Sequence, residues 1–359
     1  MNKKDVLIEE TMNNNTDITT YIQEDDVILS YTDEQFAEMM TKNIKTIDLP
    51  ETVSEITVGI DIGNITTVAI CGKNRIVFES RLGEVTEYDV LGQAQTIELL
   101  DEIHVVGKGE FENREIKHEK DNYLRLLAYA IGKVVKRNNV LINLVVGIPA
   151  SQFNTPAKET LEKKLKANKI LVCKIDGKRR ILQIGNIFIV PEGYGVKAIG
   201  GFKACRKNAE TIVMDVGGGT TDLAFFSPEG KFLRGDTIDV GLLYLYEKTA
   251  ENLKTLGLQK SNKELGKRYY DGELDYMNSE GQIEKLYKVD ALKAFLKKLI
   301  NQFRGKTENP EQANIILCGG GAAKIASNFK KIYPRTIVIE GVTVNAEGNE
   351  RIGVVKWEK

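Results

Sequence analysis

Val213 to Ala224 reads VMDVGGGTTDLA, an apolar run that meets an aspartate, passes through three glycines into two threonines and resumes as apolar residues. The pattern is that of a strand, a tight turn and a second strand. Gly217, Gly218 and Gly219 let backbone N–H groups approach a bulky anion closely, and clustered N–H donors are what a polyphosphate requires. Asp215 stands where the first strand delivers it to the mouth of the turn. A carboxylate there is placed to hold Mg²⁺ or a metal-bound water against phosphates. The plainer alternative is a Gly-rich β-hairpin with a surface aspartate.

The same grammar occurs earlier in the chain. From Ile56 the sequence runs ITVGIDIGNITTVAICGKNRIVFES, rich in β-branched residues, with a turn at Gly72-Lys73-Asn74 and no room for a helix. Within it, Asp61 ends a strand, Gly63 and Asn64 follow, and the Thr66-Thr67 pair leads into another apolar strand. Asp61 and Asp215 lie 154 residues apart. A repeat on this scale predicts two similar half-molecules, each contributing one phosphate hairpin to a shared cleft.

Two further stretches complete the constellation. Ile187 to Ala198, IFIVPEGYGVKA, is a strand broken at Pro191, with Glu192 next and a helix from about Gly193. A carboxylate at such a junction can orient or deprotonate water, although an isolated one is most simply a solvated surface group. Ala313 to Cys318 runs into Gly319, Gly320 and Gly321 and then a helix, AAKIASNFKKI, a second place where backbone can approach a nucleotide.

Elsewhere the periodicity predicts a helix over 119–137, a buried strand from Val140 to Ile148, and an exposed helix from Ala157 to Lys166 opened by Pro156. Strands at Ile170–Ile175 and Arg180–Ile184 flank the hairpin signal Asp176-Gly177. Helices follow from Gly241 to about Leu256 and from Val289 to Phe303. Between them, 258–288 forms a small, mostly helical part with a capping box at Ser261 to Glu264. Short strands are expected around Asn345-Ala-Glu-Gly348 in the tail.

A length of 359 residues implies two domains or one large bilobal unit. The net charge of −1 excludes a chain that grips nucleic acid by bulk electrostatics, but it hides an asymmetry. Residues 1–50 carry 4 Lys and 11 Asp or Glu, hence −7, leaving +6 on the rest. In that acidic arm, Thr32 to Gln35 resembles a capping box, and Phe36, Met39, Met40 and Ile44 recur at helical spacing. The four widely spaced cysteines and two histidines offer no metal-site spacing and suit a reduced, cytoplasmic protein. The N-terminus has no signal-like apolar region, and no apolar run is long enough to cross a membrane. No Gly-x-x-x-x-Gly-Lys-Ser/Thr or Gly-x-Ser-x-Gly motif is present, and DVGGGTTD is followed by strand rather than helix residues. P-loop, triad-hydrolase and dinucleotide-fold readings therefore fall away.

Ile60–Ile70 and Met214–Phe225 resemble the two phosphate motifs of the actin, sugar-kinase and heat-shock-chaperone ATPase superfamily. Val190 to Gly193 resembles its first connecting segment, and Ile316 to Ile325 its adenosine motif. Val106 to Gly109, Lys120 to Ala130, Val146 to Gln152 and Val190 to Tyr194 are most similar to the bacterial actin-like plasmid-segregation proteins, the ParM and StbA group. The resemblance implies an α/β, actin-like ATPase fold: two similar lobes with a duplicated, ribonuclease H-like core around a nucleotide cleft. An acidic, partly disordered extension would occupy 1–52, the first lobe 53–195 and the second 196–335, with a mobile helical subdomain near 258–288. The segment 336–359 would pack back on the first lobe.

It further implies a filament-forming enzyme that hydrolyses ATP or GTP with Mg²⁺ and separates plasmid copies through a DNA-binding adaptor, touching centromere DNA only indirectly and no membrane. Asp61 and Asp215 would hold the metal, and Glu192 would position the attacking water. Gly63, Asn64, Thr66, Thr67, Gly217, Gly218, Gly219, Thr220 and Thr221 would contact phosphates, with Gly319, Gly320 and Gly321 beside the nucleoside. The chain departs from the pattern in its long acidic arm and in lacking, at Asn64, the Ser or Thr plus Lys arrangement of conventional actin. A metabolite kinase on the same fold needs a further catalytic Asp-bearing loop, and a chaperone-like switch needs a peptide-binding β-domain. Neither feature is evident.

Overall fold

The computed structural model describes residues 51–91, 94–111, 116–259, 262–274 and 286–358. The helix expected from Phe36 to Ile44 lies outside them. Among the described residues no helix is long and apolar enough to cross a membrane.

The first lobe is built on a nine-stranded sheet. Its strands are β1 (Ser54–Ile62), β2 (Thr66–Cys71), β3 (Asn74–Glu79), β4 (Leu82–Glu84), β5 (Thr96–Leu99), β6 (Glu102–Val106), β7 (Val140–Ile148), β8 (Ile170–Ile175) and β9 (Lys178–Pro191). The second lobe has five: β10 (Thr211–Val216), β11 (Thr221–Phe226), β12 (Phe232–Ile238), β13 (Asn314–Cys318) and β14 (Ile337–Val338). The order β3-β2-β1-β7-β9 in the first sheet is matched by β12-β11-β10-β13-β14 in the second. In both, an antiparallel meander of three strands is extended by two parallel ones. The duplication read from two short motifs is thus a duplication of sheet topology.

Strand alternation decides what each sheet face meets. Val58, Ile60 and Ile62 of β1 turn to α1 (Tyr123–Val134), whose Leu124, Leu127 and Ile131 share their core. Burying each such side chain contributes about 1.5–3 kcal/mol. In the second lobe, Met214, Leu223 and Leu317 face α4 (Leu242–Thr255), α6 (Leu286–Lys306) and α7 (Ala322–Ile332). On the surface, α2 (Pro156–Ala167) starts with Pro156 in its first turn and Thr155 as its cap, accepting from the Ala157 amide at 3.3 Å. The small helix α5 (Lys263–Asp271) is capped by Asn262, which accepts from the Leu265 amide at 3.0 Å, one residue beyond the serine that the sequence singles out.

Two expectations change. Arg180–Ile184 is not a separate short strand: it continues through Gly185 to Pro191 as the single strand β9. The tail around Asn345–Gly348 is not strand but the start of α8 (Val344–Trp357), which packs on β1, β2 and β7 and on α3 (Tyr194–Ala198). Gly348 looks like a turn residue in the sequence. In the fold it gives clearance, because a Cβ there would lie 2.2 Å from the Gly195 Cα.

Candidate active site

The two Asp-Gly hairpins, β1–β2 and β10–β11, meet at the cleft between the sheets. They close with the same hydrogen bond: Gly63 N–H donates to Thr66 O at 3.0 Å, and Gly217 N–H to Thr220 O at 3.0 Å. In the second hairpin, the carbonyls of Gly217 and Gly218 accept from the amides of Leu242 and Leu243 at 3.0 and 2.8 Å, at the start of α4. Because the peptide unit is planar and trans, the N–H groups of Gly218 and Gly219 then point away from that helix, on the cleft side. Successive backbone N–H groups so turned are the donors from which an anion nest can be built.

Asp61 and Asp215 end the equivalent strands β1 and β10. One side chain bridges them: Asn345 of α8 donates through Nδ2 to Asp215 Oδ2 at 2.5 Å and to Asp61 Oδ2 at 3.3 Å. Its own Oδ1 accepts from the Gly193 amide at 3.2 Å, beside Glu192. Asn349, one turn on, donates to the Ile60 carbonyl at 2.9 Å and fixes the helix to β1. Residues distant in sequence are thereby held within one hydrogen-bonded unit. Gly319, with φ of +87°, passes so close to Asp215 that a Cβ would lie 2.0 Å from Oδ1.

On the other side of Asp61 lies a buried lysine. Lys117 Nζ donates to Asp61 Oδ1 at 3.1 Å and to the Gly147 carbonyl at 3.2 Å, and pairs with Glu192. Burial works against its charge, but Glu192 and Asp61 outweigh burial and hold the ammonium protonated well beyond the ordinary lysine range. Lys120 Nζ donates to the Gly63 carbonyl at 3.1 Å. Burial, followed by repulsion from Glu192 and Asp61, pushes the Asp215 carboxyl up to about 7. Burial also raises Glu192, against the pull of Lys117.

Asp222 is the fourth carboxylate. It faces Asp215 across β10 and β11, accepts from Thr220 Oγ1 at 3.2 Å and Thr237 Oγ1 at 2.8 Å, and is raised well above its ordinary value by burial and then by Glu192.

Asp61, Gly63, Asn64, Thr66, Asp215, Gly217, Gly218, Gly319 and Gly320 line a cleft of about 220 Å³ that opens to solvent. Glu192, Lys117, Thr220 and Asp222 line its inner end. Tyr246, Lys267, Asp271 and Lys324 stand towards its other end. The side chains of Thr67 and Thr221 do not reach it. Each is the second threonine of its pair and by alternation turns inward, Thr67 to Ser80 Oγ at 2.8 Å and Thr221 to the Val240 carbonyl at 2.7 Å. The carbonyl side of Gly219 lies against Gly241, and Gly321 lies behind the lining against Val216.

Lys117, Lys120, Asn345 and Asp222 are absent from the sequence-derived set. The two lysines sit in the charged string ENREIKHEK, where nothing distinguishes a buried ammonium from a solvated one. Asp222 alone had a signal: register pairs Asp215 with Asp222 where Asp61 pairs with Val68, so the repeat itself marks the extra carboxylate.

Among the described residues no three acidic, histidine or cysteine side chains form an all-protein metal cage. The carboxylate oxygens of Asp61 and Asp215 instead suit Mg²⁺, which retains waters and takes one or two carboxylates together with substrate phosphates.

Residues 59–195 match the model for the N-terminal domain of actin-like proteins. No curated protein sequence is significantly similar to the chain. Solved structures share the fold: an archaeal actin homologue in complex with ADP (TM-score 0.69, 19% identity, 84% of this chain and 99% of that one). A 15-stranded ParM filament from Clostridium botulinum gives a TM-score of 0.68 at 20% identity, over 84% and 99% of the two chains. Apo ParM of pSK41 gives 0.61 at 17% identity, over 85% and 98%. This chain has the actin-like fold, and its first lobe is similar to the N-terminal domain of actin-like proteins.

Proposed function

We propose that this chain is a filament-forming actin homologue that binds ATP or GTP with Mg²⁺ between its lobes, hydrolyses it, and segregates plasmid DNA through a DNA-binding adaptor. The observation that carries this reading is the meeting of two equivalent Asp-Gly hairpins at one cleft, with Asp61 and Asp215 on a single amide. ParM of Clostridium botulinum and the actin-like protein Alp12 form filaments, and the archaeal homologue binds ADP. Self-association and nucleotide use extend those facts to this chain.

In this mechanism the Gly218 and Gly219 amides and Lys117 hold the terminal phosphate. Glu192 aligns the attacking water and receives its hydrogen bond, and Asp222 stands near to take up the proton. Asp61 and Asp215 would hold Mg²⁺, which would neutralise charge on the phosphates. Lobe closure, favoured by contact with the next subunit, completes the site.

Sedimentation with and without nucleotide, paired with phosphate release, tests the proposal. ATP or GTP with Mg²⁺ should drive the chain into the pellet. Glu192→Ala should slow phosphate release by about 10²-fold or more while polymer still forms. Release unchanged in both Glu192→Ala and Asp215→Ala would remove these residues from the mechanism. Phosphorylation of a small molecule without polymer would make the chain a kinase instead.

A further inference from the structure

At the end of the first lobe remote from the cleft, three segments are hydrogen-bonded into one surface. Asn74, in the β2–β3 turn, donates to the Val134 carbonyl at 3.1 Å. Arg180, beside the β8–β9 hairpin, donates to the Lys136 carbonyl at 2.8 Å. Lys133, at the end of α1, pairs with Asp176 of that hairpin at 2.8 Å. This arrangement gathers Lys73, Arg75, Lys136, Arg137 and Lys178, all exposed. None of the five is paired with a carboxylate among the described residues. The five outnumber the carboxylates nearby, Glu51 and Glu55 around the start of β1, Glu350 on the Gly72 amide at 3.0 Å and Asp176 already paired with Lys133, and the excess attracts an anionic partner.

The chain enters the fold at this same surface. Val53 N–H donates to the Asn139 carbonyl at 3.0 Å, and β1 begins beside β7 with Ser54 opposite Val140. Immediately before that entry lie residues 1–50, with a charge of −7, against +6 on the remainder. Asp48 is five residues from Val53, so a few residues of extended chain, about 3.4 Å each, bring a carboxylate to Arg137. The tether also gives the arm an effective concentration on the order of millimolar at this surface, which a free polyanion must exceed.

We propose that the acidic N-terminal arm docks on the basic end of the first lobe of its own chain. The docked arm neutralises this end and acts as a built-in competitor for any nucleic acid or acidic protein that approaches it.

Zero-length carbodiimide cross-linking of the full-length chain without nucleotide, as a mixture of ¹⁴N- and ¹⁵N-labelled protein mapped by mass spectrometry, tests the proposal. Arm carboxylates should couple to Lys73, Lys136 or Lys178 in isotope-pure pairs. Yield should fall about tenfold in 0.5 M NaCl, where the Debye length contracts to a few ångström, and again on charge reversal by Lys73→Glu, Arg137→Glu and Lys178→Glu. The salt series decides the matter alone if the triple variant does not fold. Cross-links concentrated on second-lobe lysines such as Lys297 or Lys330 would overturn the proposal, as would isotope-mixed pairs or yields insensitive to salt. Loss of the cross-links to a short DNA duplex at micromolar, stoichiometric concentration would also overturn it, because an arm tethered at about millimolar effective concentration must outcompete such a ligand.

Discussion

Asp215 is a carboxyl that the fold holds at a cost in the absence of ligand. Burial first, then the Glu192 and Asp61 charges, move it from 3.8 to about 7. The folded state therefore binds this proton more tightly than the unfolded state. Its contribution to stability is fully present below about pH 4 and is lost as pH rises towards 7. Glu192 and Asp222 are shifted in the same direction. Asp215→Asn should accordingly stabilise the nucleotide-free protein by about 1 kcal/mol or more at pH 8 and by much less at pH 4.5, read from thermal melts at the two pH values. Equal shifts at both would remove Asp215 as the source. Lys117 gives the opposite expectation. Its removal leaves Glu192 and Asp61 buried without their cation, so Lys117→Met should cost about 3–5 kcal/mol in a urea melt, and a loss below 1 kcal/mol would show that the pair is not buried in solution. These two residues also mark the limit of sequence reading at this scale. Asp215 is legible because its neighbours are glycines with no other use in a strand end, whereas Lys117 resembles every other lysine in its charged surroundings.

The hairpins are the elements most legible in the sequence, since aspartate, glycine and paired threonines recur in the same order at Asp61 and Asp215 and each feature has a local cause. Alternation along the strand also accounts for what the motif did not reveal, that Thr67 and Thr221 turn inward while Thr66 and Thr220 reach the cleft. The C-terminal helix is the opposite case. Asn345 and Gly348 are turn formers by composition, and their helical role depends on Gly195, Asp61 and Asp215, partners that no local window contains. Gly348→Ala would bring a Cβ within 2.2 Å of the Gly195 Cα, backbone against backbone, with no side chain to yield. It should destabilise by about 1–3 kcal/mol and also weaken nucleotide binding, because the displaced helix carries Asn345. Full stability by urea melt together with wild-type affinity would show that the helix seats elsewhere.

In the whole molecule, contacts across the cleft hold the lobes in one relative position. Ile65 of the first hairpin and Phe111 pack in the second lobe's core. Ser151 joins Thr237 at 2.6 Å, and through it Asp222. Near the mouth, Arg81 pairs with Glu264 at 3.7 Å and Lys267 with Glu79 at 3.5 Å. Such partly exposed pairs are weak individually but must part when the cleft opens. Glu264→Lys, which sets two cations opposite each other, should speed nucleotide release about threefold to tenfold in a stopped-flow displacement assay, with the effect reduced in high salt. An unchanged release rate would place the opening motion elsewhere. The bilobal plan was legible in the sequence because the repeat lies in its two Asp-Gly hairpins. The joints between lobes were not, because they are made by singly occurring residues from separate parts of the chain. The central claim, that Asp61 and Asp215 serve one metal-nucleotide, is tested most directly by a crystal structure grown with Mn²⁺ and a non-hydrolysable nucleotide, with data collected at the manganese edge. The account predicts one anomalous peak between these two carboxylates and the phosphates beside Gly218 and Gly219, whereas manganese or nucleotide bound away from either aspartate would contradict it.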